Sequence, residues 1–222
     1  MTPPAHASDA VDRTVVHLVR HGEVHNPDRI LYGRLPEFHL SQLGREMADL
    51  VAVHLADHDV TQVISSPLER ARETAAPIAA AHGLEVELDE RALEAENAFE
   101  GRAVAGGKGI FRDPKMWRLM ANPMRPSWGE PYVDLAARMQ AAVDSARELA
   151  RGHEAVIVSH QAPIWMLRLA IEGRRFVHDP RKRQCTLASF TSLTYRGDEL
   201  ESLAYSEPAA ALLPMAHSGA GA

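Results

Sequence analysis

The fold is decided near the amino terminus by the stretch Thr14-Val15-Val16-His17-Leu18-Val19-Arg20-His21-Gly22. Most of its first six residues are β-branched or aliphatic, which predicts a short buried strand of a parallel sheet. The strand ends abruptly at Arg20-His21-Gly22, where a guanidinium and an imidazole stand side by side before a glycine. Ligands of open α/β sheets bind beyond the carboxyl ends of the strands, so this strand end is the first place to look for chemistry.

The rest of the chain alternates between predicted strands and predicted helices. Strands are predicted at 60–64, 84–88 and 155–159, with two more at 187–196 and 199–206. Helices are predicted from Ser41 to 55, from Pro67 to about 82, at 135–149 and at 163–171. This alternation predicts an α/β fold, in which a mainly parallel sheet carries helices on both faces and is joined by right-handed crossovers.

The length of 222 residues allows one large domain or two small ones, and we expect a single domain over residues 13–206. Residues 1–12 and 207–222 are rich in small residues and proline, which predicts flexible tails. Residues 97–132 combine glycines and prolines with weak periodicity. That pattern predicts a long, lid-like insertion between two core elements.

The composition is that of an ordinary globular protein and excludes several functions. Charged residues make up 24% of the chain, hydrophobic residues 45%, and the net charge is −6, which argues against a nucleic-acid partner. Cys185 is the single cysteine, so an intrachain disulfide and the thiolate zinc motifs are excluded. The sequence has no run of eighteen apolar residues and no leader pattern at its amino terminus, so we expect a cytoplasmic protein without a membrane partner.

Polar side chains follow three of the predicted strands. A lone buried histidine is more often structural, but two strands that end in histidine favour a shared site. The second of them precedes a predicted helix, whose amino terminus suits an anion such as phosphate. Arg70 could hold two phosphate oxygens in a fork or could be a surface residue of its helix, and spacing leaves both readings open. The three strand ends are Arg20-His21, Ser65-Ser66 leading to Arg70, and Ser159-His160.

These strand ends resemble the motifs of a known family, the histidine phosphatase superfamily in its phosphoglycerate-mutase-like branch. The resemblance covers residues 14 to about 171, and three motifs in this order at three strand ends make it specific. The matching segments are Leu18-Val19-Arg20-His21-Gly22-Glu23, the loop and helix start from Gly33 to Gly44, the block Ser65-Ser66-Pro67-Leu68-Glu69-Arg70-Ala71-Arg72-Glu73-Thr74-Ala75, and Val158-Ser159-His160.

The resemblance implies a phosphoglycerate-mutase-like fold and a set of roles for the site. His21 would be the nucleophile that carries the phosphoryl group as phosphohistidine. Arg20, Arg70 and His160 would surround the phosphoryl oxygens, so that no metal or cofactor is required. Asn26 would correspond to a phosphate-binding asparagine of the loop after the first motif. Gln161 stands where family members commonly have glycine, and its backbone N–H at a helix start would reach phosphate.

Two glutamates compete for the role of general acid. The family places this residue after the third strand and ahead of a Glu-Gly pair, which is Glu100-Gly101 here. Glu94 matches by its position after the strand, but the interval to Glu100 is about one residue shorter than usual, so Glu96 is a rival. A Gly-Glu-Ser element of the family is replaced by Gly129-Glu130-Pro131, and Glu130 receives no role beyond helix entry.

The leading interpretation is a metal-independent phosphomonoester hydrolase acting through phosphohistidine on a small organic phosphate. A 2,3-bisphosphoglycerate-dependent phosphoglycerate mutase of the same fold is the alternative. Mutases of the family carry an adjacent arginine pair in a Pro-rich segment, and residues 97–132 contain no such pair. The aromatic side chains of that insertion could form a lid over a bulky organic group or a local hydrophobic core, and the sequence favours neither. The oligomeric state is open, a homodimer included.

A third interpretation, from another class, is a histidine-rich metal-binding protein. The chain contains twelve histidines. His17 and His21 have the i, i+4 spacing of a helical metal site but fall on a predicted strand, where they would not be neighbours on one face as on a helix. His54 and His58 have the same spacing at or near a helix end. Zinc is usually bound by local clusters of histidines such as i, i+4 pairs on a helix. The motifs at the strand ends nevertheless favour the phosphatase.

Overall fold

A six-stranded sheet lies at the centre of the protein, in a computed structural model that describes residues 13–102, 129–179 and 182–216. The strand order is β3-β2-β4-β1-β5-β6. The first four of these pair in parallel, whereas β5 runs antiparallel to β1 and to β6. The strands are β1 (Arg13–Arg20), β2 (Val60–Ser65), β3 (Val86–Leu88), β4 (Glu154–Ser159), β5 (Phe190–Arg196) and β6 (Glu199–Ser206).

In the described ranges, four helices cover the two faces of the sheet, which confirms the predicted α/β class. Alternate residues of β1 and β4 point to opposite faces, as strand geometry requires. Val19 and Val158 pack with α1 and α2, whereas Leu18 and Ile157 pack with α3 and α4. The helices are α1 (Gln42–Leu55), α2 (Glu69–His82), α3 (Tyr132–Leu149) and α4 (Gln161–Ile171), and short 3-10 helices span Glu90–Ala92 and Ala210–Met215.

The start of α1 is the predicted one. The Ser41 hydroxyl accepts a hydrogen bond from the Gly44 N–H, which is the usual cap of a helix amino terminus. Gly44 also lies against the end of β1, where a Cβ on Gly22 would lie 2.4 Å from the Gly44 carbonyl oxygen. Glycine at position 22 therefore lets the helix approach the strand end that carries His21.

Several element boundaries differ from the predicted ones. Pro67 does not occupy the first turn of α2, because Leu68 is still extended (φ −69°, ψ 140°) and the helix begins at Glu69. The third strand is shorter than predicted. Gly83 ends α2 in the left-handed conformation (φ 66°), and the Leu84 N–H bonds to the Ala79 carbonyl. Because this hydrogen bond makes Leu84 part of the helix end, β3 starts two residues later than predicted.

The packed part of the chain extends beyond the predicted domain end at residue 206. Ala209 is buried, and Leu212 and Leu213 of the second 3-10 helix pack against the core on the side of α1 and α2. Residues 207–216 are therefore not the tail that the sequence predicted. The rest of that tail (217–222), the amino-terminal tail (1–12) and most of the predicted insertion (103–128) lie outside the described residues. None of the helices in the described ranges combines the length and the apolar character that crossing a membrane requires.

Candidate active site

The carboxyl ends of β1, β2 and β4 meet at one edge of the sheet, where two buried histidines lie side by side. Arg20, the last residue of β1, pairs with Ser159, the last residue of β4. The residues that follow, His21 and His160, are both fully buried. Their ring centroids are 5.1 Å apart. The parallel register thus places two imidazoles from distant parts of the chain at the same point.

The His21 ring is held in one tautomer. Its Nδ1 atom lies 2.7 Å from the Gly22 carbonyl oxygen, and because a carbonyl can only accept, Nδ1 carries the proton. The lone pair is therefore on Nε2, which is buried without a hydrogen-bond partner in the described part of the chain. Burial lowers the pKa of His21 well below 6.5, and the charges of Arg70 and Arg20 lower it further. The structure presents a neutral imidazole with a free lone pair.

Thr74 holds the backbone next to this ring. The Gly22 N–H donates to the Thr74 hydroxyl at 3.1 Å, and that hydroxyl donates to the Arg70 carbonyl of the previous helical turn at 2.8 Å. One threonine of α2 thereby ties the end of β1 to the helix that carries Arg70. The position of the His21 backbone and that of the Arg70 guanidinium are coupled through it.

His160 is the residue between β4 and α4. Its Nε2 lies 2.8 Å from the Ser66 hydroxyl, and its Nδ1 is buried with no partner among the described residues. Burial lowers the pKa of His160 well below 6.5, and the charge of Arg70 lowers it further. Ser66 follows β2, so the second motif orients the histidine of the third.

Two arginines bring positive charge to the histidines. Arg70 is fully buried, which excludes its reading as a surface residue. It donates from Nη2 to the Gly33 carbonyl at 2.5 Å and lies over the Tyr32 ring, 4.7 Å from its centroid. Arg20 donates from Nη1 to the Cys185 carbonyl at 2.8 Å. Within the described chain, Nε and Nη1 of Arg70 and Nε of Arg20 are buried without acceptors. Buried N–H donors without acceptors are what a phosphoryl group would satisfy.

The two candidate acids lie in different environments. Glu94 is 4% exposed; its Oε1 accepts from the Ala95 N–H at 2.8 Å, and its Oε2 is buried with no partner in the ranges described. The side chain of Glu96 is 68% exposed and pairs with Arg34 at 3.0 Å. Glu94 also lines a cavity of about 190 Å³, with Gly33 and Tyr132 among its other walls.

Asn26 and Gln161 differ from the other predicted phosphate ligands. The Asn26 amide donates to the Ile30 carbonyl at 2.8 Å and accepts from the Ile30 N–H at 3.0 Å, so it closes its own loop. The Gln161 side chain donates to the Cys185 carbonyl at 3.3 Å and accepts from Arg183 at 3.1 Å. The backbone N–H of Gln161 stands in the first turn of α4, where such groups are free for an anion.

Sequence reasoning missed the group that holds Glu94. Arg34 and Arg138 both donate to the Glu94 carbonyl, at 2.7 and 3.1 Å. Glu130 accepts from Arg34 at 3.1 Å and from Arg138 at 2.7 and 2.9 Å. The assignment of helix entry alone to Glu130 is therefore wrong, because this carboxylate ties both arginines to the candidate acid. The spacing of these residues carries no signal of the contact.

Arg183 and Tyr32 were missed as well. Arg183 lines the cavity with Glu94 and donates from Nε to His178 at 2.8 Å. Burial lowers the pKa of Arg183, and the charge of Glu94 acts in the opposite direction. A signal for Tyr32 was within reach, since it directly precedes the glycine-rich loop of the second segment. For Arg183 the signal was a basic run just before β5.

Comparison with known proteins decides the family. The model of the histidine phosphatase superfamily (branch 1) matches residues 16–208, which include every element around this site. The chain belongs to the histidine phosphatase superfamily. This confirms the resemblance of its motifs to that family.

Relatives of this chain carry different names. It is 60% identical over 199 residues to the uncharacterized protein Rv0525 of Mycobacterium tuberculosis, covering 90% of this chain and 98% of that one. It is 34% identical over 185 residues to the "Probable phosphoglycerate mutase GpmB" of Yersinia enterocolitica, and the match covers 78% of this chain and 82% of that protein. The solved structure of the mycobacterial glucosyl-3-phosphoglycerate phosphatase Rv2419c matches with a TM-score of 0.68 and 25% identity. The match covers 87% of this chain and 96% of that one. These matches confirm the phosphoglycerate-mutase-like fold.

Proposed function

We propose that this protein is a metal-independent phosphomonoester hydrolase that acts through a phosphohistidine on His21. The observation that carries the proposal is Nε2 of His21, which is buried beside Arg20, Arg70 and His160 with no hydrogen-bond partner among the described residues. A neutral imidazole is a nucleophile, whereas an imidazolium is not, and burial keeps this ring neutral. The surrounding N–H donors supply the charge that a phosphoryl group needs.

In the first step Nε2 of His21 attacks phosphorus and the bond from phosphorus to the ester oxygen breaks. Arg20, Arg70 and the amino terminus of α4 bind the equatorial oxygens, where negative charge is spread in the transition state. The proton on Nδ1 stays bonded to the Gly22 carbonyl, which fixes the ring in line. Glu94, as the carboxylic acid, gives its proton to the departing alkoxide, so the alcohol leaves neutral.

In the second step water attacks the phosphohistidine. Glu94, now a carboxylate, takes a proton from the water, and the bond from phosphorus to Nε2 breaks. Inorganic phosphate is released, and both His21 and Glu94 return to their starting protonation states. Glu96 suits this role less well, because its carboxylate is 68% exposed and paired with Arg34.

The proposed independence of metals rests on the charge that the residues themselves bring. Two guanidiniums and the helix terminus at α4 face the place where a cation would otherwise be needed. Treatment with a chelator should leave the hydrolysis rate unchanged. Loss of activity that zinc or magnesium restores would contradict this part of the proposal.

The substrate class we propose is a small organic phosphomonoester. The phosphatase name of the neighbour Rv2419c supports hydrolysis, and the mutase name of GpmB supports the alternative of phosphoryl transfer back to a sugar acid. Supplying 3-phosphoglycerate with catalytic 2,3-bisphosphoglycerate separates the two. The hydrolase releases free phosphate faster than 2-phosphoglycerate, and the opposite order would support the mutase.

The nucleophile is tested by trapping the intermediate. Incubation with labelled phosphomonoester followed by quenching should leave a phosphoryl group that is stable to base and labile to acid, as expected of phosphohistidine. His21→Ala should abolish both labelling and turnover. His25→Ala removes an exposed histidine of the same loop and should leave both unchanged. Label on any other residue, or turnover that survives in His21→Ala, would refute the assignment.

A further inference from the structure

A second cluster of histidines lies on the face of the sheet that α1 covers, toward the amino-terminal end of β4. Glu154 is the first residue of β4 and pairs with Val15 of β1 on one side and Val60 of β2 on the other. One of its oxygens, Oε2, lies 2.7 Å from Nε2 of His17 and 2.8 Å from Nδ1 of His58. These three atoms all lie within 4.8 Å of one another.

We propose that His17, His58 and Glu154 bind one divalent zinc-type cation. Two imidazole nitrogens and one carboxylate oxygen are a donor set that Zn²⁺ accepts in a tetrahedral site, with water in the fourth position. Ligand atoms about 2.0–2.2 Å from the metal lie slightly more than 3 Å apart. The two nitrogens lie 2.7 and 2.8 Å from Oε2, so a bound cation would move them away from this oxygen by about half an ångström.

The surroundings of His17 match those of a metal ligand. Its side chain is 3% exposed, and its second nitrogen, Nδ1, lies 2.8 Å from the Ser192 hydroxyl on β5. Metal-bound histidines generally donate their other N–H to an oxygen, which fixes the tautomer. When a cation replaces the hydrogen bond between Nε2 and Glu154, Nδ1–H donates to Ser192 and the lone pair of Nε2 faces the cation. The Phe190 ring packs edge-on against the same imidazole, with centroids 5.4 Å apart.

The cluster is accessible from solvent. The His58 side chain is 36% exposed, which opens a path from solvent. Without a cation, one carboxylate oxygen serves two imidazoles. A cation would bind all three groups at once.

The position of the cluster indicates a structural role. His17 lies four residues before His21 on β1, which is about 13 Å along a strand. A cation there would cross-link β1, β4 and the connection from α1 to β2, at a distance from the phosphoryl chemistry. A cation that binds only the native state raises the melting temperature, and the rise grows with the logarithm of the free cation concentration once the site is saturated.

The test is zinc binding by the full-length protein after removal of metals with a chelator. Isothermal titration should show one zinc bound, and Co²⁺ at the same site should give visible absorption typical of imidazole and carboxylate ligands. His58→Gln and Glu154→Gln should abolish both signals. Ser192→Ala should weaken binding by about 10–100-fold, because it removes the group that orients His17.

His153→Gln is the matched control. His153 is the neighbour of Glu154 along the chain, and it pairs with Asp59 on the surface at 2.7 Å, so its loss should leave zinc binding intact. His21→Ala should also retain binding, which separates this cluster from the catalytic imidazoles. Circular dichroism confirms that each variant is folded, and phosphatase activity of His58→Gln should equal that of the wild type. Absence of saturable binding in the wild type, or unchanged binding in folded His58→Gln, would overturn the proposal.

Discussion

Replacement of Glu94 by glutamine separates its chemistry from its packing. Glutamine has the same shape, and its amide oxygen can keep the 2.8 Å hydrogen bond that Oε1 accepts from the Ala95 N–H. What it cannot do is transfer a proton from the position of Oε2, which is buried and has no partner in the described part of the chain. The substitution therefore removes the proposed general acid while leaving its surroundings in place.

The expected loss depends on the leaving group. General acid catalysis contributes about 10² to 10⁴ in rate, which is about 2.7 to 5.4 kcal/mol of transition-state stabilisation. Alkyl phosphates should suffer this full loss, because an alkoxide needs the proton. Phosphates of acidic phenols should lose far less, because the phenolate leaves unprotonated. The assay is kcat for one alkyl and one nitrophenyl phosphate in Glu94→Gln.

Glu96→Gln is the matched control for that experiment. Its carboxylate is 68% exposed, and its pair with Arg34 is of the surface kind that contributes about 0–1 kcal/mol to stability. We expect both kcat values to stay near those of the wild type. An equal loss on both substrates in Glu94→Gln would refute the role of acid, and a selective loss in Glu96→Gln would move that role to Glu96.

Three further predictions follow from the geometry around the histidines. NMR titration should show that His21 and His160 stay neutral well below pH 6.5, because burial lowers their pKa. His39 should still be protonated above pH 6.5, because its hydrogen bond to a carboxylate raises its pKa. Gly22→Ala should lower the free energy of unfolding, measured by chemical denaturation, by about 1–3 kcal/mol, because its Cβ would lie 2.4 Å from a backbone oxygen. Arg138→Gln should lower the free energy of unfolding by about 2–4 kcal/mol. It should also lower kcat more for alkyl than for aryl phosphates. Equal effects on the two substrates would contradict a role of Arg138 in positioning Glu94.

The convergence of His21 and His160 could be predicted from the sequence because it follows from a general property of parallel sheets. Each histidine directly follows a buried aliphatic strand, and carboxyl ends of parallel strands lie at one edge. The pairing of Arg20 with Ser159 realises that expectation. Arg70 could be placed in the right motif, but its burial could not be derived from spacing, because it depends on Tyr32 and the Gly33 carbonyl from a separate loop.

The choice between Glu94 and Glu96 lay beyond sequence reasoning for a physical reason. Both residues lie in the same acidic stretch after β3; position after the strand favours Glu94, but the short interval to Glu100 leaves Glu96 as a rival. Glu94 is turned inward because Arg34 and Arg138, from a distant loop and from α3, bind its carbonyl oxygen. Sequence-local patterns carry no information about such contacts.

The histidines outside the catalytic centre show the same limit more sharply. Helical spacing made His17 with His21, and His54 with His58, the natural pairs to consider for a metal. The sheet instead joins His17 to His58 through Glu154, a carboxylate 137 residues further along the chain than His17. On a strand, residues four apart lie about 13 Å from one another, so the i, i+4 rule cannot bring His17 and His21 to one cation. Once strand order is known, donors on adjacent strands replace donors one helical turn apart as the pattern to search for.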